Sequence, residues 1–157
     1  NIRWTREIEG LETAGGIINA LPLLGAEPFI LVNGDVWTTY DFEPLLDIKL
    51  GHDLAHLVFV TNPPQHAQGD FTLAEGRAYT FDQAQMGEAL TYSGVAVIHP
   101  KMFDGLDAGK RPLAPLLKQG MLDGKVSAEK MQATWVDVGT PERLSALDLQ
   151  IREGMYA

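Results

Sequence analysis

The sequence of 157 residues contains no cysteine, which excludes disulfide bonds, zinc–thiolate sites and a cysteine nucleophile. Basic residues are scarce, since 12 Lys and Arg stand against 21 Asp and Glu and the formal net charge is -9. A protein that holds nucleic acid by its phosphates needs a basic surface, so we expect no nucleic-acid partner. No apolar run approaches the roughly 20 residues of a membrane span, and no signal-peptide pattern opens the chain. We therefore expect no membrane partner and a cytoplasmic location.

An initiator methionine is also lacking, and the alternation in Asn1–Thr5 already predicts a short edge strand. We therefore expect residues to be missing upstream. The composition that remains, 45% hydrophobic and 21% charged, is ordinary for a globular protein. A chain of this length suits one domain, residues 1–157.

One buried strand is predicted by the apolar run Phe29–Val32, whose composition is typical of a central strand buried on both faces of a parallel sheet. The run ends in Asn33, Gly34 and Asp35, where the glycine permits a turn or a close approach to a ligand. Open α/β sheets bind their ligands beyond the carboxyl ends of such strands. Asp35 is therefore either a metal ligand or the cap of the next turn, and both interpretations stay open at this point.

A second acid stands in an equivalent setting, because Asp137 ends the predicted strand 133–136 and is followed by Gly139. If the two strands are neighbours, the two carboxylates converge at one edge of the sheet, and such a pair suits Mg²⁺. Further apolar runs predict strands at 55–60 and 91–99, and helical patterns lie between the runs. Together they predict an α/β fold with a predominantly parallel mixed sheet. Residues 65–90 are polar and alternating, which predicts a β-hairpin-like insertion.

Histidine and serine provide no competing site. His52 and His56 have the spacing of a helical metal pair, but a strand is predicted to begin near residue 55. Ser93 lies within a predicted strand and not at the strand-to-helix elbow of a hydrolase. His66 and His99 stand beside prolines, and we expect both to face solvent.

Four segments, taken together, resemble the sugar-1-phosphate nucleotidyltransferases. They are Leu11–Ile17 (LETAGGI), Phe29–Asp35, Tyr92–Gly94 and Trp135–Leu144 (WVDVGTPERL). Their order and approximate spacing match that family over nearly the whole chain. Details such as Asn33–Trp37 (NGDVW) and Gly69–Phe71 (GDF) are most similar to the bacterial N-acetylmuramate-1-phosphate uridylyltransferases.

The resemblance implies a three-layer, Rossmann-like nucleotide-diphospho-sugar transferase fold. It also implies an enzyme that uses Mg²⁺, a nucleoside triphosphate and a sugar 1-phosphate. The substrates that the resemblance favours are UTP and N-acetylmuramate 1-phosphate, and the enzyme would then act in peptidoglycan recycling. Asp35 and Asp137 would be catalytic and would hold the metal. The residues that would contact the nucleotide are Thr13, Ala14, Gly15, Gly16, Asn33 and Gly34, and those that would contact the sugar are Gly69, Asp70, Ser93, Gly94 and Trp37.

The chain departs from this family at its start. The family opens with a glycine-rich loop that carries an Arg, and with a later Pro-Lys, and neither is in this sequence. We therefore expect residues 1–157 to be the C-terminal two-thirds or so of a catalytic domain, with the first strands of the sheet absent. An upstream segment would complete the sheet, and the fragment alone is expected to be poorly soluble or inactive. Mannose-1-phosphate guanylyltransferase, metal-dependent glycosyltransferase and non-catalytic sugar-phosphate-binding module are the alternative interpretations.

Overall fold

The computed structural model describes residues 1–83 and 86–156. Its helices are α1 (Glu12–Leu24), α2 (Glu43–Leu46), α3 (Ala114–Leu122) and α4 (Pro141–Arg152). Its strands are β1 (Phe29–Val32), β2 (Val36–Thr38), β3 (Ala55–Val60), β4 (Phe71–Ala74), β5 (Arg77–Tyr79), β6 (Glu88–Ile98), β7 (Val126–Lys130) and β8 (Trp135–Asp137). Short 3₁₀ turns lie at Pro64–His66, Phe81–Gln83 and Pro100–Phe103.

The main sheet is mixed and has the strand order β1-β6-β3-β7-β5-β4, while β2 and β8 form a separate antiparallel ribbon. The predicted α/β class with a mixed sheet is confirmed. The expectation that parallel pairing predominates is wrong, because β6 runs antiparallel to both β1 and β3 and lies between them. Among the described residues, only β3 and β7 form a parallel pair. Burial on both faces, and not strand direction, makes a strand uniformly apolar, so the sequence of β6 did not reveal its direction.

Strand β1 has the predicted bounds but a different environment. It is the edge strand of the described sheet, and its side chains are half-buried, with Val32 43% exposed. The expectation of a central strand buried on both faces is therefore wrong for this chain. A strand with a neighbour on one side only leaves one row of backbone groups and part of its side chains uncovered.

Two apolar layers lie on opposite faces of the sheet, as the period of two along a strand requires. On β3, Leu57 and Phe59 pack with the side chains of α1 and α3, whereas Val58 and Val60 pack with Leu45 of α2. The side chains of β6 likewise alternate between these two apolar layers. The arrangement of helices on both faces confirms the three-layer architecture implied by the resemblance.

The β-hairpin predicted within residues 65–90 corresponds to β4 and β5. The two strands turn at Glu75 and Gly76, which both have left-handed φ values, of 49° and 73°. The hairpin is part of the main sheet, since β4 pairs with β6 and β5 contacts β7. Residues 84 and 85 of the predicted segment lie outside the described residues.

The amino-terminal segment does not form the predicted strand. Residues 2–5 have no regular structure, and Ile2 and Trp4 are 92% and 81% exposed. Alternation alone does not make a strand where no partner strand offers hydrogen bonds. Over residues 1–83 and 86–156, none of the helices combines the length and apolar character needed to cross a bilayer.

Candidate active site

The carboxylates of Asp35 and Asp137 are brought together by the β2–β8 ribbon. Asp35 directly precedes β2, and Asp137, the last residue of β8, is paired with Val36. The N–H of Val138 donates to the carbonyl of Asp35 at 2.8 Å, which closes this end of the ribbon. The predicted convergence is therefore present, but an antiparallel ribbon produces it and not two neighbouring parallel strands.

Gly139 shows how closely the two acids approach. A Cβ atom built on Gly139 would lie 3.0 Å from Oδ2 of Asp35 and 3.0 Å from Oδ1 of Asp137. The two oxygens therefore face one point in space, which a side chain at this position would occupy. Asp137 is held in place on both sides, since Oδ1 accepts the N–H of Gly139 at 2.7 Å and Oδ2 lies 3.1 Å from Nη1 of Arg143.

This donor set fits a hard divalent cation. Within the described part of the chain, no group of three or more His, Cys, Asp or Glu residues is placed to hold a metal. Mg²⁺, however, is commonly held by only one or two carboxylates, because substrate phosphates and water complete its octahedral shell. Two convergent carboxylates beside Gly139, which has no side chain to stand between them, meet that requirement.

The acid pair opens into a cavity of about 200 Å³, which we name the acidic cavity because Asp35, Asp70 and Asp137 all line it. Its wall is completed by residues of β6 and β8 and of the segments that follow β1 and β3, among them Asn33, Gln65, His66, Ser93, Gly94 and Trp135. Three of the five predicted sugar-contacting residues, namely Asp70, Ser93 and Gly94, are thus placed together beside the acid pair.

Gly94 and Asn33 connect β1 to β6 at this cavity. Gly94 has a left-handed φ of 79°, and the pairing of β3 with β6 shifts register beside it, which marks a bulge. Asn33 donates its N–H to the carbonyl of Gly94 at 2.9 Å, and its side chain covers the place where a Cβ of residue 94 would lie. Any larger residue at position 94 would therefore displace Asn33.

The hydroxyl of Ser93 is already used by the fold. It donates to the carbonyl of Val58 at 2.7 Å and accepts the N–H of Val95 at 3.1 Å, and the residue is 1% exposed. The carbonyl of Ser93 accepts the indole N–H of Trp135 at 2.9 Å. Ser93 therefore shapes the cavity wall.

A second space of about 420 Å³ adjoins the first, and we name it the apolar cavity because Phe71, Leu113 and Leu117 line it. The two cavities share Asn33, Asp70 and Tyr92. Burial of the Tyr92 ring raises the pKa of its hydroxyl well above the usual range, so this hydroxyl stays uncharged.

The predicted nucleotide-contacting residues are divided between several places. Thr13 lines the apolar cavity, whereas Ala14 and Gly15 are buried within α1. The N–H of Gly15 donates to the carbonyl of Arg111 at 3.1 Å, and the carbonyl of Gly109 lies against its Cα. Gly16 faces the side chain of Glu7. Asn33 lines both cavities, and Gly34 has open space around its Cα.

Two predicted sugar contacts lie elsewhere. The Trp37 ring packs against the Tyr156 ring, with centroids 4.8 Å apart, and does not line the acidic cavity; Trp135 occupies that place. Gly69, with a φ of 71°, packs against the carbonyl of Leu90 under the cavity wall.

The sequence did not reveal three residues of the site. His66 is exposed, as expected, and it also lines the acidic cavity, with its Nε2 3.0 Å from Oδ1 of Asp70. Arg143 and Tyr92 were also not singled out. The spacing of four residues between His66 and Asp70 was the one available signal, and it is a weak one because the segment does not form an α-helix.

Comparisons with known proteins agree on one class of enzyme. The chain is 46% identical over 139 residues to an N-acetylmuramate α-1-phosphate uridylyltransferase of Neisseria meningitidis serogroup B, covering 86% of this chain and 60% of that protein. It is 28% identical over 155 residues to the enzyme of the same name from Caulobacter vibrioides, covering 93% and 64%. A mannose-1-phosphate guanyltransferase beta-B of Xenopus laevis is 26% identical over 153 residues, covering 90% and 41%. No protein-family model matches the chain.

Solved structures share the fold. HddC from Yersinia pseudotuberculosis, complexed with GMP-PN, superposes with a TM-score of 0.67 at 21% identity, covering 92% of this chain and 64% of that one. The inositol-1-phosphate CTP transferase of T. maritima gives a TM-score of 0.65 at 17% identity, covering 92% and 64%. The chain thus spans about three fifths of the length of the two uridylyltransferases and of these two solved structures.

Proposed function

This chain is related to the sugar-1-phosphate nucleotidyltransferases, and from that relationship we propose that the protein transfers a nucleotidyl group from a nucleoside triphosphate to a sugar 1-phosphate. The convergence of Asp35 and Asp137 beside Gly139, where one oxygen of each lies 3.0 Å from the position of an added Cβ, is the observation that carries the proposal. The substrates we favour are UTP and N-acetylmuramate 1-phosphate, because the relative at 46% identity bears that name. With these substrates the protein would act in the recycling of peptidoglycan, in the cytoplasm.

Asp35 and Asp137 would hold Mg²⁺, which supplies charge neutralisation and alignment for the phosphates of the two substrates. A phosphate oxygen of the sugar 1-phosphate forms a bond to the α-phosphorus of the nucleotide. The bond between the α- and β-phosphates breaks, and its electron pair leaves with pyrophosphate. The attacking oxygen is already ionised, so the chain needs no general base, and its task is to orient the reactants and offset their charge.

The two joined cavities suit two substrates of different character. The acidic cavity is lined by the acid pair and by the polar side chains of Asn33, Gln65 and His66, which suits the hydroxyls and phosphate of a sugar phosphate. The apolar cavity has an aromatic and two leucine side chains in its wall, which suits a nucleobase, with Thr13 at its edge. The shared residue Asn33 then stands between base and sugar, near the point of phosphate transfer.

Residues 1–157 would form one domain that contributes the metal ligands and the sugar side of the site. This assignment agrees with the extent of the matches, which cover 60% and 64% of the two uridylyltransferases. The activity proposed belongs to the whole protein.

A substrate screen tests the reaction. The whole protein is incubated with UTP or GTP, with N-acetylmuramate, N-acetylglucosamine, glucose or mannose 1-phosphate, and with Mg²⁺ or excess EDTA, and pyrophosphate release is measured. We expect turnover with UTP and N-acetylmuramate 1-phosphate that EDTA abolishes. Preference for GTP and mannose 1-phosphate would favour the guanylyltransferase alternative. Release of a nucleoside diphosphate from a nucleotide sugar, or binding of a sugar phosphate with no turnover, would replace the proposal with a glycosyltransferase or a binding module.

Variants of the acid pair test the site. Asp35→Asn and Asp137→Asn should each lower kcat by about 100-fold or more, the usual cost of removing a preorganised electrostatic group from a reaction centre. Asp107→Asn is the matched control, because Asp107 is exposed in the loop before α3. Circular dichroism checks that each variant is folded. Near-normal turnover in either acid variant would contradict the assignment of that residue.

A further inference from the structure

The loop between β3 and β4, residues 61–70, is fixed by its own hydrogen bonds. The N–H of His66 donates to the carbonyl of Pro63 at 2.8 Å, and the N–H of Gly69 donates to the carbonyl of His66 at 3.1 Å. The N–H of Asp70 donates to the carbonyl of Leu90 on β6 at 2.8 Å. These bonds make the loop a compact turn that is attached to the sheet.

Asn62 and Gly69 hold the same loop against β6. The Asn62 amide donates to the carbonyl of Ala89 at 3.0 Å, and its oxygen accepts the hydroxyl of Thr91 at 2.9 Å. Gly69 has a left-handed φ of 71°, and a Cβ there would lie 2.6 Å from the carbonyl oxygen of Leu90. The backbone is therefore attached to β6 on both sides of His66.

The carboxylate of Asp70 connects His66 to β6, because each of its two oxygens has a different partner. One oxygen accepts the N–H of Tyr92 at 2.9 Å, and the other lies 3.0 Å from Nε2 of His66. The imidazole is thus oriented from the side of β6, and Nδ1 is the ring nitrogen that remains for a ligand. If Nε2 donates to Asp70 while Nδ1 donates to a ligand, both nitrogens carry protons and the ring is a cation.

The charges that line the acidic cavity indicate which ligand a protonated His66 would bind. Three carboxylates line this cavity, and His66 is the one base among the described residues that line it. In the proposed reaction the substrate phosphate is placed at Asp35 and Asp137, so the group that meets His66 is another part of the sugar. A second acidic group on that sugar would be repelled by Asp70 unless a cation stood between them.

From this arrangement we propose that His66, positioned by Asp70, binds a carboxylate carried by the sugar 1-phosphate and selects for sugars that have one. The inference rests on the proposed function and identifies its substrate class, because N-acetylmuramate differs from N-acetylglucosamine by a lactyl ether with a carboxylate. Asp70 acts as the positioning residue, through His66. The recognition is one charge-assisted hydrogen bond between Nδ1–H and a carboxylate oxygen.

The test compares the two sugar phosphates on the whole protein. Binding of N-acetylmuramate 1-phosphate and N-acetylglucosamine 1-phosphate is measured by calorimetry, with and without Mg²⁺ and a non-hydrolysable UTP analogue, and kcat and KM are measured for both with UTP. His66→Gln should weaken binding of the acidic sugar about tenfold, the usual effect of losing one charge-assisted bond. KM for the acidic sugar should rise by the same factor, and KM for the neutral sugar should change much less.

Three further variants complete the test. Asp70→Asn should reduce the preference for the acidic sugar less than His66→Gln, because it leaves the imidazole present but less well held. His66→Arg should restore part of the preference, since it keeps a cation that donates to carboxylates. His52→Gln is the control, because His52 is exposed in the turn before β3. An equal loss for both sugars, or no loss for either, would overturn the role of His66.

The outcomes separate this inference from the proposed function. If pyrophosphate is released normally but the preference between the sugars is unchanged in His66→Gln, only the inference fails. If no combination of substrates is turned over, the proposed function fails, and calorimetry with the two sugar phosphates still decides whether His66 contacts the carboxylate. Binding of neither sugar phosphate would overturn both.

Discussion

Gly139 is the residue on which the acid pair depends most directly. Its φ lies outside the left-handed region, so alanine fits the backbone, but the added methyl group would stand 3.0 Å from one oxygen of Asp35 and one of Asp137. One or both carboxylates would then move by a few tenths of an ångström or more. Gly139→Ala is therefore expected to lower kcat about tenfold or more, because even small misplacement of the metal ligands is costly at a reaction centre.

The thermal unfolding midpoint of Gly139→Ala should stay close to that of the unmodified protein, which separates the effect on the site from an effect on the fold. Gly10→Ala is the matched control, because a Cβ at Gly10 has open space around it. Pyrophosphate release by both variants is the measurement. Full activity of Gly139→Ala would mean that the space above this residue is not the place of reaction.

The guanidinium of Arg143 affects both the orientation of the Asp137 carboxylate and its affinity for a cation. Its Nη1 lies 3.1 Å from Oδ2 of Asp137, so it orients the carboxylate and also opposes a cation that binds there. Arg143→Met should lower kcat about tenfold through lost orientation, yet bind Mn²⁺, used as a probe for Mg²⁺, more tightly because a competing charge is removed. Arg152→Met is the control, since Arg152 pairs with Asp148 on the same helix and away from the site. Weaker Mn²⁺ binding in Arg143→Met would contradict this account.

At the scale of elements, the sequence predicted β1 and β3 with their observed bounds, because each is an unbroken apolar run followed by residues that cannot continue a strand. It also predicted that Asp35 and Asp137 meet. It did not reveal β2, or the pairing of β2 with β8 that joins the two acids, since a strand of three residues is too short for a periodic pattern. The sequence also did not reveal the direction of β6. A strand that is buried on both faces has the same apolar residue pattern whether it pairs parallel or antiparallel.

The pairing of β3 with β7 makes stability depend on pH through His56. Burial between the strands lowers the pKa of this imidazole, and the charge of Glu129 opposes that shift only in part. Its Nδ1 lies 3.0 Å from the hydroxyl of Ser127, and its Nε2 is buried without a hydrogen-bond partner among the described residues. His56 is therefore neutral in the folded protein over a pH range in which the unfolded chain already binds a proton.

Because the folded pKa of His56 is the lower one, its contribution to stability is present above the unfolded pKa of about 6.5. That contribution is lost as the pH falls towards the folded pKa. The free energy of unfolding, measured in urea from pH 7.5 down to pH 5, should decrease more steeply in the unmodified protein than in His56→Asn. His52→Gln should keep the steep dependence. Equal slopes in all three proteins would show that His56 is not the group that titrates.

At the scale of the whole molecule, the resemblance drawn from the four motifs is confirmed by a relative at 46% identity and by solved structures with the same fold. The motifs lie far apart in the chain, yet three of them reach the two cavities through Thr13, Asn33 and Gly94. A fourth supplies Asp137. This is expected where a site is built from the ends of several strands and helices around one sheet, because distant parts of the chain then meet at one edge.

The division of the molecule into two joined cavities leads to a prediction about both substrates. Ala114 is exposed at the edge of the apolar cavity and does not line the acidic one, so a tryptophan there would fill the first and leave the second open. Ala114→Trp should raise KM for the nucleoside triphosphate about tenfold or more, through the loss of most of the base contact, and leave KM for the sugar phosphate unchanged.

Ala26→Trp, in the exposed loop between α1 and β1, is the matched control. Initial rates with each substrate varied in turn provide the measurement. An equal rise of both KM values would mean that the two substrates share one space, and a rise for the sugar phosphate alone would reverse the assignment of the two cavities.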